Sequence, residues 1–458
     1  DPVPDHVPRP PGPSLGPLAP LRLGRRELLD LVARTARDHP RLAYLRLFGE
    51  SVYVVSRPDL VREVLVVAGR ATKKGRGLER AGRLLGEGLL TSEGEVHRRH
   101  RALLRPAFHT ARIEAYAQVM VEAARAVPWR DGQVVDLPTE MADLTLGVVG
   151  RTLFGADLSG EADEVRDALT EFLETFERVM SPSAGLLLRL PSRLRRRIDG
   201  AQRRLERVVG RLLADRRRRP GGDLLSLLLS SGLSEAEIRD EVLTFVLAGH
   251  GATANALAWA WWLLDRSPAA AGSLHAEVDA LPAAPSYDDL RWLAVTRAVV
   301  AETLRLYPPA YAVGRRATRD LELDGWRVPA GALLVVSQWV THRDPRWWGE
   351  DAEQFRPGRW LDGEGRFGDT APGRPRLAYF PFGAGSRVCI GESFAWTETV
   401  LLLATLARSW TPAVAPGWVA DVRPAITLRP AGGIPAVLHT RGGATRSRGR
   451  RGELSSSA

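Results

Sequence analysis

Cysteine is almost missing from this chain: Cys389 is the sole one in 458 residues. A single thiol excludes an intramolecular disulfide, fits a reducing compartment, and leaves a sulfur that is structural, reactive or a metal ligand. Charge is missing elsewhere. From Val242 to Leu264 there is no Asp, Glu, Lys or Arg, and about 20 apolar residues suffice to cross a bilayer. That run holds LAGHGATANAL, where glycines flank His250, a pattern unlike a plain membrane span. The first twenty residues, DPVPDHVPRPPGPSLGPLAP, lack a basic stretch followed by an apolar core and lack a cleavage-like site. They therefore read as free of a signal peptide or membrane anchor, and the chain is expected in the cytoplasm. No internal repeat is evident.

Hydrophobic residues make up 44% and charged residues 26%, the composition of an ordinary globular protein rather than a fibrous or disordered one. The net charge of +10 suggests nucleic acid until it is located. Five arginines from Arg441 to Arg451 set against Glu453 put +4 of it in the terminal stretch, with no aromatic residue interleaved. A solvated tail is the expectation, with no nucleic-acid partner. Residues 1–20 read as a Pro-rich lead-in, 21–440 as one large unit and 441–458 as a basic, disordered tail.

A first helix is expected near Arg25–His39, then a strand pair turning at Gly49-Glu50-Ser51, and Pro58 opening a short helix. Residues 95–310 are mostly helical in pattern, including a basic amphipathic helix over Ser192–Arg219. Strands return near 320–337 and 422–440, the second with a turn at Gly432-Gly433. The fold class is mainly α with small β-sheets.

The sharpest signal is FPFGAGSRVCIG, Phe380 to Gly391, followed at once by a helical pattern. Gly383, Gly385 and Gly391 permit a close backbone approach. Cys389 falls at a helix start, where amide groups and the dipole favour a thiolate. A thiolate held by backbone N–H groups suits an axial heme-iron ligand; a buried hydrophobic cysteine would not account for the surrounding glycines and arginine.

Phe382, Gly385, Arg387, Cys389 and Gly391 match F-x-x-G-x-R-x-C-x-G, and here the sequence resembles the cytochrome P-450 family of heme-thiolate monooxygenases. Three other segments agree, in the right order. Glu302 and Arg305 match the E-x-x-R of the family, and Arg359 in FRPGRW matches the arginine that joins them in a buried network. In EGEVHRRHRALLRPAF, His97 and Arg101 resemble residues that bond a heme propionate. By the same resemblance Arg387 and Arg316 are propionate partners, with Arg315 able to exchange roles with Arg316.

The resemblance implies the mainly helical triangular-prism fold, heme b with Cys389 as axial thiolate, and LAGHGATANAL on the long helix above the heme rather than in a membrane. It also implies O2-driven oxygenation of a lipophilic small molecule in bacterial secondary metabolism. Electrons are expected from a separate ferredoxin or flavodoxin with its NAD(P)H-dependent reductase, docking on an arginine-bearing face of a monomer. By analogy, pocket walls come from residues 75–95, 171–190, the long helix, 310–314 and 433–435.

One departure stands out. Where the family carries an acid followed by a threonine, this chain has Gly251 and Ala252, after His250 and before Thr253. Thr253 lies about 100° further round a regular helix. It would reach the same space only through a loosened turn or bulge. Water, a substrate hydroxyl or His250 are then alternative proton sources. The departure also admits peroxide-driven, coupling or rearrangement chemistry on the same fold, and more remotely a non-catalytic heme sensor.

Overall fold

The computed structural model describes residues 8–16, 23–156, 171, 193–368 and 374–442. The expected tail beyond residue 442 and the pocket stretch 172–190 lie outside the described residues. Arg441, assigned to that tail, is pinned instead: its backbone N–H donates to Ser409 O at 2.9 Å and its guanidinium pairs with Asp279 at 2.6 Å.

Alternating apolar residues make strand β1 (Leu42–Leu47) pair with β2 (Glu50–Val55), Leu47 facing Glu50. The connecting turn is Phe48-Gly49, both at positive φ (50° and 79°), so it begins one residue earlier than expected. Such two-residue turns match the right-handed twist of the strands they join. The edge of β1 is covered by the lead-in. Tyr44 donates its N–H to Pro11 O at 3.1 Å, and a Cβ on Gly12 would fall 1.7 Å from the Tyr44 carbonyl oxygen, so only glycine fits.

Three further strands complete this sheet: β3 (Thr72–Lys74), β5 (Val313–Ala317) and β8 (Leu333–Val336), in the order β1-β2-β8-β5-β3. Strand β8 runs parallel to β2; the other pairs are antiparallel. A second sheet joins β4 (Val134–Asp136), β12 (Pro435–Thr440) and β9 (Trp410–Val414). Strands β10 (Val422–Pro424) and β11 (Leu428–Pro430) form a pair, as do β6 (Leu321–Leu323) and β7 (Trp326–Val328). The turn at Gly432-Gly433 carries the chain out of β11 into β12, whose partners are β4 and β9.

Helices fill the rest. Helices α1 (Arg25–Asp38), α2 (Pro58–Leu65) and α3 (Arg76–Leu85) accompany the first sheet. Helices α4 (Gly94–Leu104), α5 (Thr110–Arg125) and α6 (Leu137–Leu153) lead to α7 (Arg193–Arg218), α8 (Leu224–Leu229) and α9 (Glu235–Asp265). Then come α10 (Pro268–Ala280), α11 (Ala294–Leu306) and α12 (Glu392–Ser409). Helix α7 is the expected basic helix, with Leu205, Val208, Val209, Leu212 and Leu213 buried beneath its arginines.

The core gathers around α9, which packs against α6, α11 and α12. Helix α9 is long and apolar enough to span a bilayer, yet 71% of its apolar window is buried in protein. Trp259 is fully buried and stacks on Tyr307 with centroids 4.0 Å apart. Ser234 and Glu237 cap its start reciprocally, and the backbone and hydroxyl of Ser234 hold the Glu237 carboxyl down to about 2.

Candidate active site

Cys389 sits on a loop whose shape is set by backbone bonds. Its N–H donates to Phe382 O at 3.0 Å, and Gly383 N–H donates to Phe380 O at 2.9 Å. The three glycines have different reasons to be there. Gly385 has φ +75°, and a Cβ on it would meet Leu65 O at 2.1 Å, so this position requires close approach. Gly383 needs glycine for its φ of +76° alone. Gly391, the residue before α12, has φ −89°, and a Cβ there would be in ordinary contact.

The Cys389 side chain keeps accessible surface although protein atoms crowd around it. Desolvation pushes its thiol pKa up; a hydrogen bond from the Gly391 amide and the Arg101 charge oppose this without reversing it. The expected thiolate is therefore not secured by the helix start alone. A coordinated cation is what deprotonates such a sulfur.

Beneath the loop lies a buried ion network. Glu302 and Arg305, one turn apart on α11, meet through two bonds of 2.8 Å, and Arg359 Nε reaches Glu302 Oε1 at 2.9 Å. Trp360 Nε1 and the Arg356 amide also donate to Glu302, each at 2.9 Å. Burial opposes ionisation of Glu302, but the Arg305 bonds and the two guanidinium charges outweigh it and keep the pKa below the usual range. Arg305 also donates to His342 O at 2.8 Å. His342 is wholly buried, and its Nε2 accepts the N–H of Phe380, where the cysteine loop begins.

On the other side of the loop the structure assembles cations. His97 and Arg101 lie on α4; Arg101 donates to Val388 O, next to Cys389, at 2.8 Å. Arg387 donates to Gly69 O and Thr72 O, at 2.9 and 3.1 Å, and pairs with Glu93, while its Nε has no partner. The expected propionate partner Arg316 is not in this group. Successive side chains of a strand point to opposite faces. On β5 this sends Arg316 to Glu50 and Glu79 (3.1 and 3.7 Å) and buries Arg315 beside Arg387 and Glu93. Desolvation and the Arg387 charge lower the Arg315 pKa to about 10.

Lys74, which no sequence pattern singled out, joins them. It is buried, donates through Nζ to Leu89 O and Ser92 O (2.9 and 2.6 Å), and has its pKa lowered to about 8, first by desolvation. His97 falls to about 4 through desolvation and then the charges of Lys74, Arg387 and Arg101, so it is neutral near pH 7. Buried cations that depress one another, with an orphaned Arg387 Nε among them, make a site complementary to an anion.

Helix α9 is regular through LAGHGATANAL, with no bulge. It is buried on both sides of this stretch, but Leu247, Ala248, Gly249, Gly251 and Ala252 keep accessible surface. A Cβ on Gly251 would meet nothing within 4 Å, whereas one on Gly249 would press on Val149 Cγ2 at 3.0 Å. Gly251 thus faces open space, and Gly249 is a packing contact with α6. Thr253 is buried, and its hydroxyl acts on the Glu398 carboxyl of α12. The side chain of His250 lies outside the described residues.

A sequence profile of the cytochrome P450 family matches residues 7–421. The chain belongs to the cytochrome P450 family. It is 39% identical over 423 residues to "Cyclooctatin synthase" of Streptomyces melanosporofaciens, covering 89% of this chain and 90% of that protein. It is 38% identical over 412 residues to "Cyclooctat-9-en-7-ol 5-monooxygenase" of the same organism, covering 87% of each. "Pentalenene oxygenase" of Streptomyces avermitilis is 35% identical over 400 residues, covering 84% of this chain and 87% of that one.

This P450 is therefore an oxidoreductase of the heme monooxygenase type, with the mixed α and β fold expected. The family binds heme b through a cysteine thiolate, and Cys389 is the sole cysteine available. The described residues fit that group. The cation cluster suits its carboxylates, and Cys389 lies adjacent through the Arg101 bond to Val388.

Sequence reasoning missed three residues of this P450. Lys74 gives no signal in a three-residue strand. Glu398 looks like any acid in an amphipathic helix. His100, three positions after His97, is fully buried and bonds Glu241 of α9 through Nδ1 at 2.7 Å, tying α4 to the long helix. Its repeat in HRRHR was the available hint.

Proposed function

We propose that this cytochrome P450 inserts one oxygen atom from O2 into a hydrocarbon-rich cyclic small molecule in bacterial secondary metabolism. What carries the reading is the pairing of the Cys389 loop with a buried cation cluster next to it. Bound heme supplies the oxygen-activating chemistry. Cys389 Sγ is its ligand, and Lys74, His97, Arg101, Arg315 and Arg387 hold its anionic edge. Phe382, Gly385 and Gly391 shape the loop, and Glu302, Arg305 and Arg359 fix it through His342. Leu247, Ala248, Gly249, Gly251 and Ala252, which keep accessible surface, carry no polar side chain and leave room for an apolar substrate.

The names of the relatives support this substrate class, since they denote an unsaturated hydrocarbon, pentalenene, and an unsaturated cyclic alcohol, cyclooctat-9-en-7-ol. Electrons come from a separate ferredoxin or flavodoxin with its NAD(P)H-dependent reductase. A groove of about 1070 Å³ behind the cysteine loop, where Arg62, Arg291, Arg297 and Arg376 outnumber Asp59 and Glu392, suits a small acidic carrier. The enzyme works as a cytoplasmic monomer.

The test is turnover of a panel of cyclic hydrocarbons with NAD(P)H, ferredoxin, reductase and labelled O2. One labelled oxygen atom per product supports the reading; product formed equally well from peroxide alone would replace it. The second outcome has its own support in Gly251 and Ala252, which leave that part of α9 without an acid or alcohol.

A further inference from the structure

The loop from Gly86 to Ser92, which joins α3 to α4, is pressed flat against α9. A Cβ on Gly86 would fall 1.8 Å from Asp240 Oδ2, and one on Gly88 would fall 2.2 Å from Thr244 Oγ1 and 2.7 Å from the Asp240 carbonyl oxygen. Only glycine permits this approach at both positions. The contact is also bonded: Asp240 is buried, and its Oδ2 accepts the Glu87 N–H at 2.9 Å. Thr91 Oγ1 donates to Gly86 O at 2.7 Å, and Lys74 of β3 holds the far end of the loop through Leu89 O and Ser92 O. The other oxygen of Asp240 is 3.4 Å from the exposed guanidinium of Arg239. A buried carboxylate with such partners contributes little net stability. What it does is fix where the loop lies.

The place of this clamp on α9 gives it a role. Asp240, Thr244, Leu247 and Gly251 are spaced four, three and four residues apart, so they share one face of the helix over a rise of about 16 Å. The clamp takes the first half of that face, and the accessible residues Leu247 and Gly251 take the second. We infer that Asp240 is a positioning residue: by holding the Glu87 amide it fixes the Gly86–Ser92 loop as a rigid wall where the accessible stretch of α9 begins, and so limits the bulk of the molecule admitted beside Leu247. The inference rests on the reading of that stretch as part of the substrate pocket. A loop tied to α9 at one end and to Lys74 at the other does not swing aside, so the pocket selects by size against a fixed wall. Asp240 acts through the loop.

The experiment uses the full heme-loaded chain and the variants Asp240→Ala, Asp240→Asn and Gly88→Ala. Asparagine keeps an oxygen for the Glu87 N–H, whereas Gly88→Ala lifts the loop off the Asp240 carbonyl, a backbone group that cannot turn aside. Hydrogen exchange over residues 86–92, read by mass spectrometry, reports on the clamp. Asp240→Ala and Gly88→Ala should each speed it roughly tenfold, Asp240→Asn should leave it near the wild type, and peptides from α12 should not change. Spectral titration with imidazole and with clotrimazole, a small and a bulky heme-coordinating azole, reports on the pocket. Imidazole affinity should stay close to that of the wild type throughout. Clotrimazole affinity relative to it should rise several-fold in Asp240→Ala and Gly88→Ala and return in Asp240→Asn. Exchange unchanged in Asp240→Ala, or an azole ratio unchanged in both that variant and Gly88→Ala, overturns the inference. So does an Asp240→Asn that behaves like Asp240→Ala. Should Asp240→Ala fail to fold, Gly88→Ala decides alone by the same two readouts. A wild type with no spectral response to either azole contradicts the pocket reading instead, while the exchange result still decides whether the clamp exists.

Discussion

The N–H of Phe380 donates to Nε2 of His342 at 2.9 Å, and the same histidine's carbonyl accepts from Arg305. The ion network of α11 is thus joined to the first residue of the cysteine loop through one buried residue, by its carbonyl on one side and its ring on the other. Glu302→Gln leaves Arg305 and Arg359 short of a counter-charge, at a cost of roughly 3–5 kcal/mol for a broken buried pair. Expected are a lower melting temperature and poor heme retention, measured by calorimetry and by the ratio of heme to protein absorbance. Ionised Glu302 has a lowered pKa, so its contribution is present above its unfolded value and is lost as pH falls through the acid range.

The two neighbouring arginines of β5 separate in function. Arg315→Leu removes a buried member of the cation cluster, and Arg316→Leu removes a partner of Glu50 and Glu79 on the opposite face. Heme titration of the apoprotein should show affinity falling at least tenfold for the first and little for the second. A reversed order would restore the assignment made from sequence.

Much of this was legible before the structure. The Cys389 loop follows from a contiguous motif, while the Glu302–Arg305 pair, Arg359, His97 and Arg101 follow from the resemblance to the P450 family that this motif and three further segments carry. The choice between Arg315 and Arg316 did not, because it depends on which sheet face turns inward, and that is settled by the pairing of β5 with β8 and β3. Lys74 and Glu398 were illegible for a similar reason: their surroundings come from segments far away in the chain. The glycines of LAGHGATANAL showed where small residues are needed, not why, and Gly249 and Gly251 turn out to have different reasons.

Those reasons predict opposite responses. Gly251→Ala adds a methyl group to open space in a helix interior and should stabilise by about 1 kcal/mol. Gly249→Ala gains the same propensity but pushes on Val149, and should be neutral or destabilising. Urea unfolding of the two variants checks the difference. Gly251→Asp with Ala252→Thr has room for its acid. It should change the coupling of NAD(P)H to product if α9 lacks an efficient relay at these positions.

Glu398 gives a pH dependence of definite sign. Its raised pKa means the native state keeps a proton that the unfolded chain releases above about 4.5, so stability falls as pH climbs from there toward 8 and then levels. Glu398→Gln should therefore melt higher than the wild type near pH 8, with the advantage disappearing near pH 4. The gain is bounded by about 5 kcal/mol, an upper limit from the size of the shift.

The central claim is that Cys389 is the thiolate ligand of a heme held by the neighbouring cations. The carbon monoxide spectrum of the reduced, heme-loaded protein tests it most directly. The expected result is the red-shifted Soret band of a thiolate-ligated heme, lost in Cys389→His while heme remains bound. A folded, heme-loaded wild type without that band would contradict the account.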